Sequence, residues 1–267
     1  MTGLVKENCP DRILAWCVLL LCVSGPGVTR AAPVPRLFEP TDLEFEDPGG
    51  VELDMQFGPV RGENSYRIAM PDAEFDLGLT SNIEFDIDGQ FAIGGPDSGN
   101  FQFNQVAPDN LWPSLKLGLL DFKEETADLA WAVGTQIGPK LPLAQGAQGV
   151  GFEGLLLFGC RYEQTYIILN MGGLRDPRLS GSSGPSGFEM GVDLDHPIDA
   201  PGHWAVTGEI GAVQYVSSDR NQLTTTAGLA WRPSENLEMS VVGLYGWLAG
   251  GDQFGVLFGI SPKFKLW

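Results

Sequence analysis

The sequence predicts an all-β protein that folds as one antiparallel transmembrane β-barrel of about 12 strands. Apolar and acidic residues alternate strictly over residues 74–88, which is the pattern of a β-hairpin with one dry face. Long and short connections alternate between the predicted strands, and no apolar set recurs at a helical period beyond residue 31. Because backbone polar groups cannot stay unpaired in lipid, a bilayer-spanning chain without helices must close its sheet into a barrel.

The first 31 residues have the pattern of a secretory signal peptide. Two basic residues precede an apolar run over 13–23, and small residues follow it. The run is shorter than the roughly 20 residues that a spanning helix needs, which disfavours a transmembrane anchor. We expect cleavage near Ala31, then a proline-rich periplasmic extension over 32–50 that is loosely ordered, and the barrel over 51–267.

The charge balance excludes some classes of partner. The chain has 34 acidic and 16 basic residues and a formal net charge of −18. This argues against nucleic-acid binding, which needs a basic footprint, and against attraction to an anionic membrane surface. It does not argue against insertion into a bilayer, where the lipid-facing residues decide. Of the four cysteines only Cys160 follows the predicted cleavage site, so an internal disulfide is not expected.

The first three predicted strands carry the clearest alternation. Apolar residues alternate with polar ones over 51–57, and the hairpin over 74–88 turns at the polar residues 80–82. A shift of one residue in the hairpin register would move three acids to the apolar face, so the dry face fixes the register. The third strand continues to residue 93.

Nine further strands follow from the same alternation. They are predicted at residues 113–122, 128–139, 149–161, 165–171, 188–194, 204–216, 223–231, 237–247 and 254–267. The strand over 149–161 is apolar on both faces, because Leu155 and Leu157 occupy the face that is polar elsewhere. Loops over 58–72, 94–112 and 172–185 are predicted to gate the barrel from one end.

Five tryptophans lie near predicted strand ends. We expect them in aromatic girdles at the two membrane interfaces rather than in the core of a sandwich. They are Trp112, Trp131, Trp204, Trp231 and Trp247.

If the apolar faces meet lipid, the opposite faces line a lumen. The candidates for lining it and for setting its selectivity are Glu52, Asp54, Glu74, Asp76, Glu84, Asp86, Asp88, Lys116, Arg161 and Arg232, with Lys140 at the same parity. A wall of acids selects cations. The alternative is that these charges pair across a narrow lumen and hold the wall together. In both cases the excess of acids predicts a negative lumen.

No catalytic or metal site and no cofactor is predicted. His196 and His203 lie in one turn with two prolines and a glycine, which favours solvated side chains over a metal site or a catalytic base. Neither a Gly-x-Ser-x-Gly motif nor a phosphate-binding glycine loop occurs. The sequence therefore predicts a protein that is not an enzyme.

Over residues 74–267 the chain resembles a bacterial outer-membrane β-barrel family named for the MetA pathway of phenol degradation. The similar stretches are 74–89, 115–118, 138–142 and the closing hairpin from Leu223. The resemblance implies an outer-membrane pore of a Gram-negative bacterium for small, apolar or aromatic solutes. The expected partners are outer-membrane lipid, the barrel-assembly machinery and small solutes, but no nucleic acid.

Two other interpretations stay open. A soluble secreted β-sandwich that acts as a binding module would bury its apolar faces against each other. A closed structural or lipid-modifying barrel would insert into the membrane but pass no current.

Overall fold

A computed structural model describes residues 45–63, 65–96, 100, 102–103, 110–124, 129–144, 146–179, 184–216 and 221–267. The predicted signal peptide and most of the predicted extension lie outside these residues. No helix in the described part of the chain is long and apolar enough to cross a membrane.

Twelve long antiparallel strands form one sheet. They are β1 (Gly50–Arg61), β2 (Ser65–Thr80), β3 (Ile83–Pro96), β4 (Trp112–Glu124), β5 (Leu129–Lys140), β6 (Gly151–Tyr162), β7 (Thr165–Arg175), β8 (Ser186–Pro197), β9 (Trp204–Tyr215), β10 (Gln222–Ser234), β11 (Leu237–Gly246) and β12 (Phe254–Lys265). Each strand pairs with its neighbours in sequence, and β12 pairs back onto β1 with Gly50 opposite Lys265. The closed 12-strand barrel confirms the predicted fold class.

The connections differ at the two ends of the barrel. At the end that we call the turn end they span residues 81–82, 125–128, 163–164, 198–203 and 235–236. At the other end, the loop end, they span 62–64, 97–111, 141–150, 176–185, 216–221 and 247–253. Two-residue pairings extend the loop end, between 102–103 and 93–94 and between 147–148 and 178–179. The predicted asymmetry of long and short connections is present.

The two faces of the sheet differ as the alternation predicts. Outward side chains are apolar and exposed, such as Phe188 at 66% and Phe258 at 57%. Inward side chains are mostly polar or charged and buried, such as Glu84 at 1% and Asp86 at 0%. A soluble sandwich would cover its apolar residues, whereas this barrel presents them outward along most strands.

The predicted loop over 58–72 is wrong. Strand β1 continues to Arg61 and β2 begins at Ser65, so only residues 62–64 connect them. The alternation fails there for two reasons. Register shifts interrupt the pairing near Gly58 and between Ala69 and Asp72. Two inward positions, Val60 and Ala69, are also apolar, so polarity does not mark the inner face consistently there.

Two further boundaries and one tryptophan differ from the prediction. Strand β3 runs to Pro96 and β7 to Arg175, so the loops predicted from 94 and 172 begin later. Trp112 is not in a girdle but fully buried, because its register partner Asp88 faces inward and Trp112 therefore does too. Trp204 and Trp231 stack at the turn end with ring centroids 6.0 Å apart, and both are exposed.

Candidate functional site

All ten predicted lumen residues lie at inward positions of the barrel wall. Nine of them are buried and Arg161 is half-buried. The seven predicted acids on β1, β2 and β3 form the densest group, because the three strands are neighbours in register. The role of these residues in selectivity stays a prediction.

The turn-end acids converge within a short distance. Carboxylate oxygens of Glu52, Asp54 and Asp76 lie within 4.8 Å of one another, and so do those of Asp76, Glu84 and Asp86. Like charges at this spacing repel, and they need nearby cations or donors.

Two lysines and a glutamine offset the repulsion between these acids. Lys116 Nζ lies 2.9 Å from Glu84 Oε1, and Lys263 Nζ lies 2.7 Å from Glu52 Oε2. Gln136 Nε2 donates to Asp86 Oδ2 at 2.8 Å. Lys263 was not among the predicted lumen residues, although its alternation with Phe264 would have placed it inward.

Other buried ion pairs connect neighbouring strands elsewhere in the barrel wall. Arg232 donates to Asp195 Oδ2 at 2.8 Å and to Glu238 Oε2 at 2.6 Å, which joins β8, β10 and β11. Burial makes such pairs costly to form and more costly to break.

Two more ion pairs lie towards the loop end. Arg67 pairs with Asp252 of the last loop, and Lys140 pairs with Glu153. The sequence prediction missed Arg67 because that residue fell in a predicted loop.

The segment before β1 enters the turn-end mouth. Glu46 donates its backbone N–H to Glu84 Oε2 at 2.5 Å and accepts from Lys263 Nζ at 2.7 Å. The backbone of this segment passes over Gly78, where a side chain would collide with the Glu46 carbonyl. The Phe45 ring lies under Lys116 Nζ at 5.3 Å. Residues 45–49 are thus bound by the barrel, unlike the loosely ordered extension that was expected.

Apolar side chains also occupy part of the interior. Trp112, Leu155 and Leu157 form one buried cluster. Val60, Ala69 and Leu257 form a second cluster, on β1, β2 and β12. Strand β6 was predicted to be apolar on both faces, and the face with Leu155 and Leu157 points into the barrel.

The two histidines lie where the turn was predicted. His196 Nδ1 is 2.9 Å from Thr165 Oγ1, and Asp199 accepts from the backbone N–H of Trp204 at 2.8 Å. These bonds shape the connection 198–203, and His203 is exposed.

A closed barrel with an exposed apolar outer face and a charged interior is the architecture of outer-membrane β-barrels. No family model matches the chain, and no curated protein matches it in sequence. Among solved structures it is similar to the COG4313 outer membrane channel from Pseudomonas putida F1, with a TM-score of 0.59 and 9% identity over 85% of this chain and 100% of that chain. It is also similar to the NanC porin, with a TM-score of 0.53 and 10% identity over 80% of this chain and 100% of that chain. At these identities the likeness shows the fold alone, a closed antiparallel β-barrel.

Proposed function

We propose that the protein is an outer-membrane channel of a Gram-negative bacterium that passes small solutes through an acidic lumen. The observation that carries the proposal is the inward placement of charged residues inside a closed barrel whose outside is apolar. We further propose export by residues 1–31, insertion by the barrel-assembly machinery, and turns 81–82 and 235–236 on the periplasmic side. No step of this function is catalytic.

The interior supports two finer parts of the proposal. The convergent acids of β1, β2 and β3 would favour cations at the turn-end mouth. The clusters around Trp112 and Val60 would offer apolar or aromatic solutes a surface inside the barrel, in keeping with the resemblance to the MetA-pathway family.

A closed structural barrel is the second candidate, and one observation favours it. The inward side chains at mid-height are almost fully covered, including Gln136 at 0% and Leu157 at 0%, and the segment 45–49 occupies one mouth. A wide aqueous bore would leave such side chains wetted. We therefore propose a narrow channel whose mouth must open for conduction.

Planar-bilayer recording with the folded chain tests the channel. We expect discrete current steps, and a reversal potential in a KCl gradient that indicates cation preference. Asp86→Asn removes one charge from the acid cluster at constant shape, so it should reduce that preference. Thr80→Ala, at an exposed position beside the turn, is the control.

Three results would contradict parts of the proposal. A folded barrel that never conducts would favour the closed structural candidate. Current without cation preference would refute the acidic selectivity but not the channel. Recovery of the protein outside the outer-membrane fraction, without heat-modifiable gel mobility, would refute the location.

A further inference from the structure

One inward glycine has only a single flexible side chain close to it in the barrel interior. At several other inward glycines, including Gly58, Gly138 and Gly228, an added Cβ would collide with a backbone carbonyl oxygen of a neighbouring strand. At Gly211 it would meet only the Glu209 carboxylate, with Oε1 at 3.0 Å, and nothing else within 4 Å. Since a carboxylate is the flexible end of a side chain, the wall has room at this position.

A second inward glycine lies directly beside Gly211 on the neighbouring strand. Gly191 on β8 is the register partner of Gly211 on β9. We call the recess formed by these two residues the Gly191–Gly211 notch. Asn170 on β7 is the register partner of Gly191, and Thr224 on β10 is the register partner of Gly211. Polar side chains therefore border the notch on both sides.

Acids lie above and below the notch on the same inner face. Glu189 lies two residues before Gly191, on the side of the loop end. Asp193 and Glu209 are register partners two residues towards the turn end, and Thr226 is the partner of Glu209. On the described inward positions of β7 to β10 the one cation is Arg232, which is bound to Asp195 and Glu238 nearer the turn end.

Asn170 provides evidence for a binding site that does not depend on the glycines or the acids. Its side chain is 1% exposed, and neither its amide nitrogen nor its amide oxygen has a hydrogen-bond partner among the described residues. The Thr226 hydroxyl, 3% exposed, also has no partner there. Buried polar side chains are nearly always hydrogen-bonded, so groups of this kind beside a recess suit a polar ligand.

The donor set indicates an organic cation rather than a bare metal ion. The described carboxylates that converge to metal-binding distance belong to β1, β2 and β3, not to this wall. An ammonium group donates three hydrogen bonds, which suits carboxylate oxygens, an amide oxygen and a hydroxyl spread around a recess. We propose that the Gly191–Gly211 notch binds the ammonium group of a small organic amine inside the lumen. This rests on the proposed channel function for the amine's access, but binding can be measured without current.

Calorimetric titration of the folded chain in detergent micelles with butylammonium chloride is the direct test. Gly211→Leu fills the notch, and Asn170→Leu replaces the amide by an apolar group of similar size. We expect each variant to weaken binding by at least about tenfold. Gly243→Leu is the matched control, because Gly243 faces outward on β11 and an added Cβ there meets only the Ala227 carbonyl oxygen at 3.8 Å. This control should bind as the unmodified chain does.

Current block supplies the second readout. Butylammonium should reduce the single-channel current of the unmodified chain, and Gly211→Leu should abolish that block. Absence of amine binding to the folded chain, or binding unaltered by Gly211→Leu and Asn170→Leu, would overturn the inference. A chain that binds butylammonium at the notch but never conducts would refute the proposed channel and leave this site standing.

Discussion

Arg232 is the buried cation that joins the turn-end halves of β8, β10 and β11. Its guanidinium lies 2.8 Å from Asp195 and 2.6 Å from Glu238, and all three side chains are buried. Arg232→Met would leave both carboxylates inside the barrel without the group that neutralises them. Removing one partner of a buried ion pair costs about 3–5 kcal/mol, and here two acids lose the same partner. We expect at least that loss from a free energy of unfolding of about 5–15 kcal/mol.

Urea unfolding of the barrel in lipid vesicles measures this loss, with tryptophan fluorescence and heat-modifiable gel mobility as independent readouts. The matched control is the triple variant Arg232→Met, Asp195→Asn, Glu238→Gln, which removes the two negative charges together with the guanidinium. Since amides keep hydrogen-bonding capacity at similar volume, the triple variant should recover more than half of the lost stability. A single variant within about 0.5 kcal/mol of the unmodified barrel would refute the assignment of Arg232 as a buried clamp.

Three further perturbations follow from the same structure. Phe45→Ala with Glu46→Ala removes the contacts that hold the segment in the turn-end mouth, so single-channel conductance should rise; unchanged conductance would mean that the segment does not obstruct the mouth. Val241→Arg places a charge on the lipid-facing side and should cost about 2–4 kcal/mol of unfolding free energy if it lies at mid-depth; a spin label at Val241 that aqueous quenchers reach would contradict that orientation. Trp112→Ala should cost about 3–5 kcal/mol through the cavity left beside Leu157, and a loss below 1 kcal/mol would place Trp112 outside the packed interior.

The hairpin over 74–88 was predictable because its two faces meet different surroundings. Its acids must turn away from the apolar exterior, so the two-residue period indicated the inner face and the register, and the short turn made the two strands antiparallel. The same period placed Lys116, Arg161 and Arg232 at inward positions. These inferences needed only the residues of one or two adjacent strands.

The predictions that were wrong or missing concern places where alternating polarity does not mark the inner face, or where residues pair across several strands. Residues 58–72 did not look like strand because the inward Val60 and Ala69 are apolar, and because register shifts at both ends of the segment interrupt the alternation. Trp112 was assigned to a girdle from its position at a strand end, although it has the inward parity of Lys116 on the same strand and pairs with the inward Asp88. The link from Arg232 to Asp195 spans two strands, and the stagger of a closed sheet decides such pairs.

The seam between β1 and β12 has a consequence for assembly in the cell. Strand β1 is the first strand of the barrel in the sequence, and its closing partner β12 is the last. At this junction Lys263 also forms ion pairs with Glu46 and Glu52. The first edge of the sheet therefore stays unpaired until the last strand has been synthesised. An open sheet with two unpaired edges can pair with strands of other chains, and the pairing of β12 with β1 removes both edges at once.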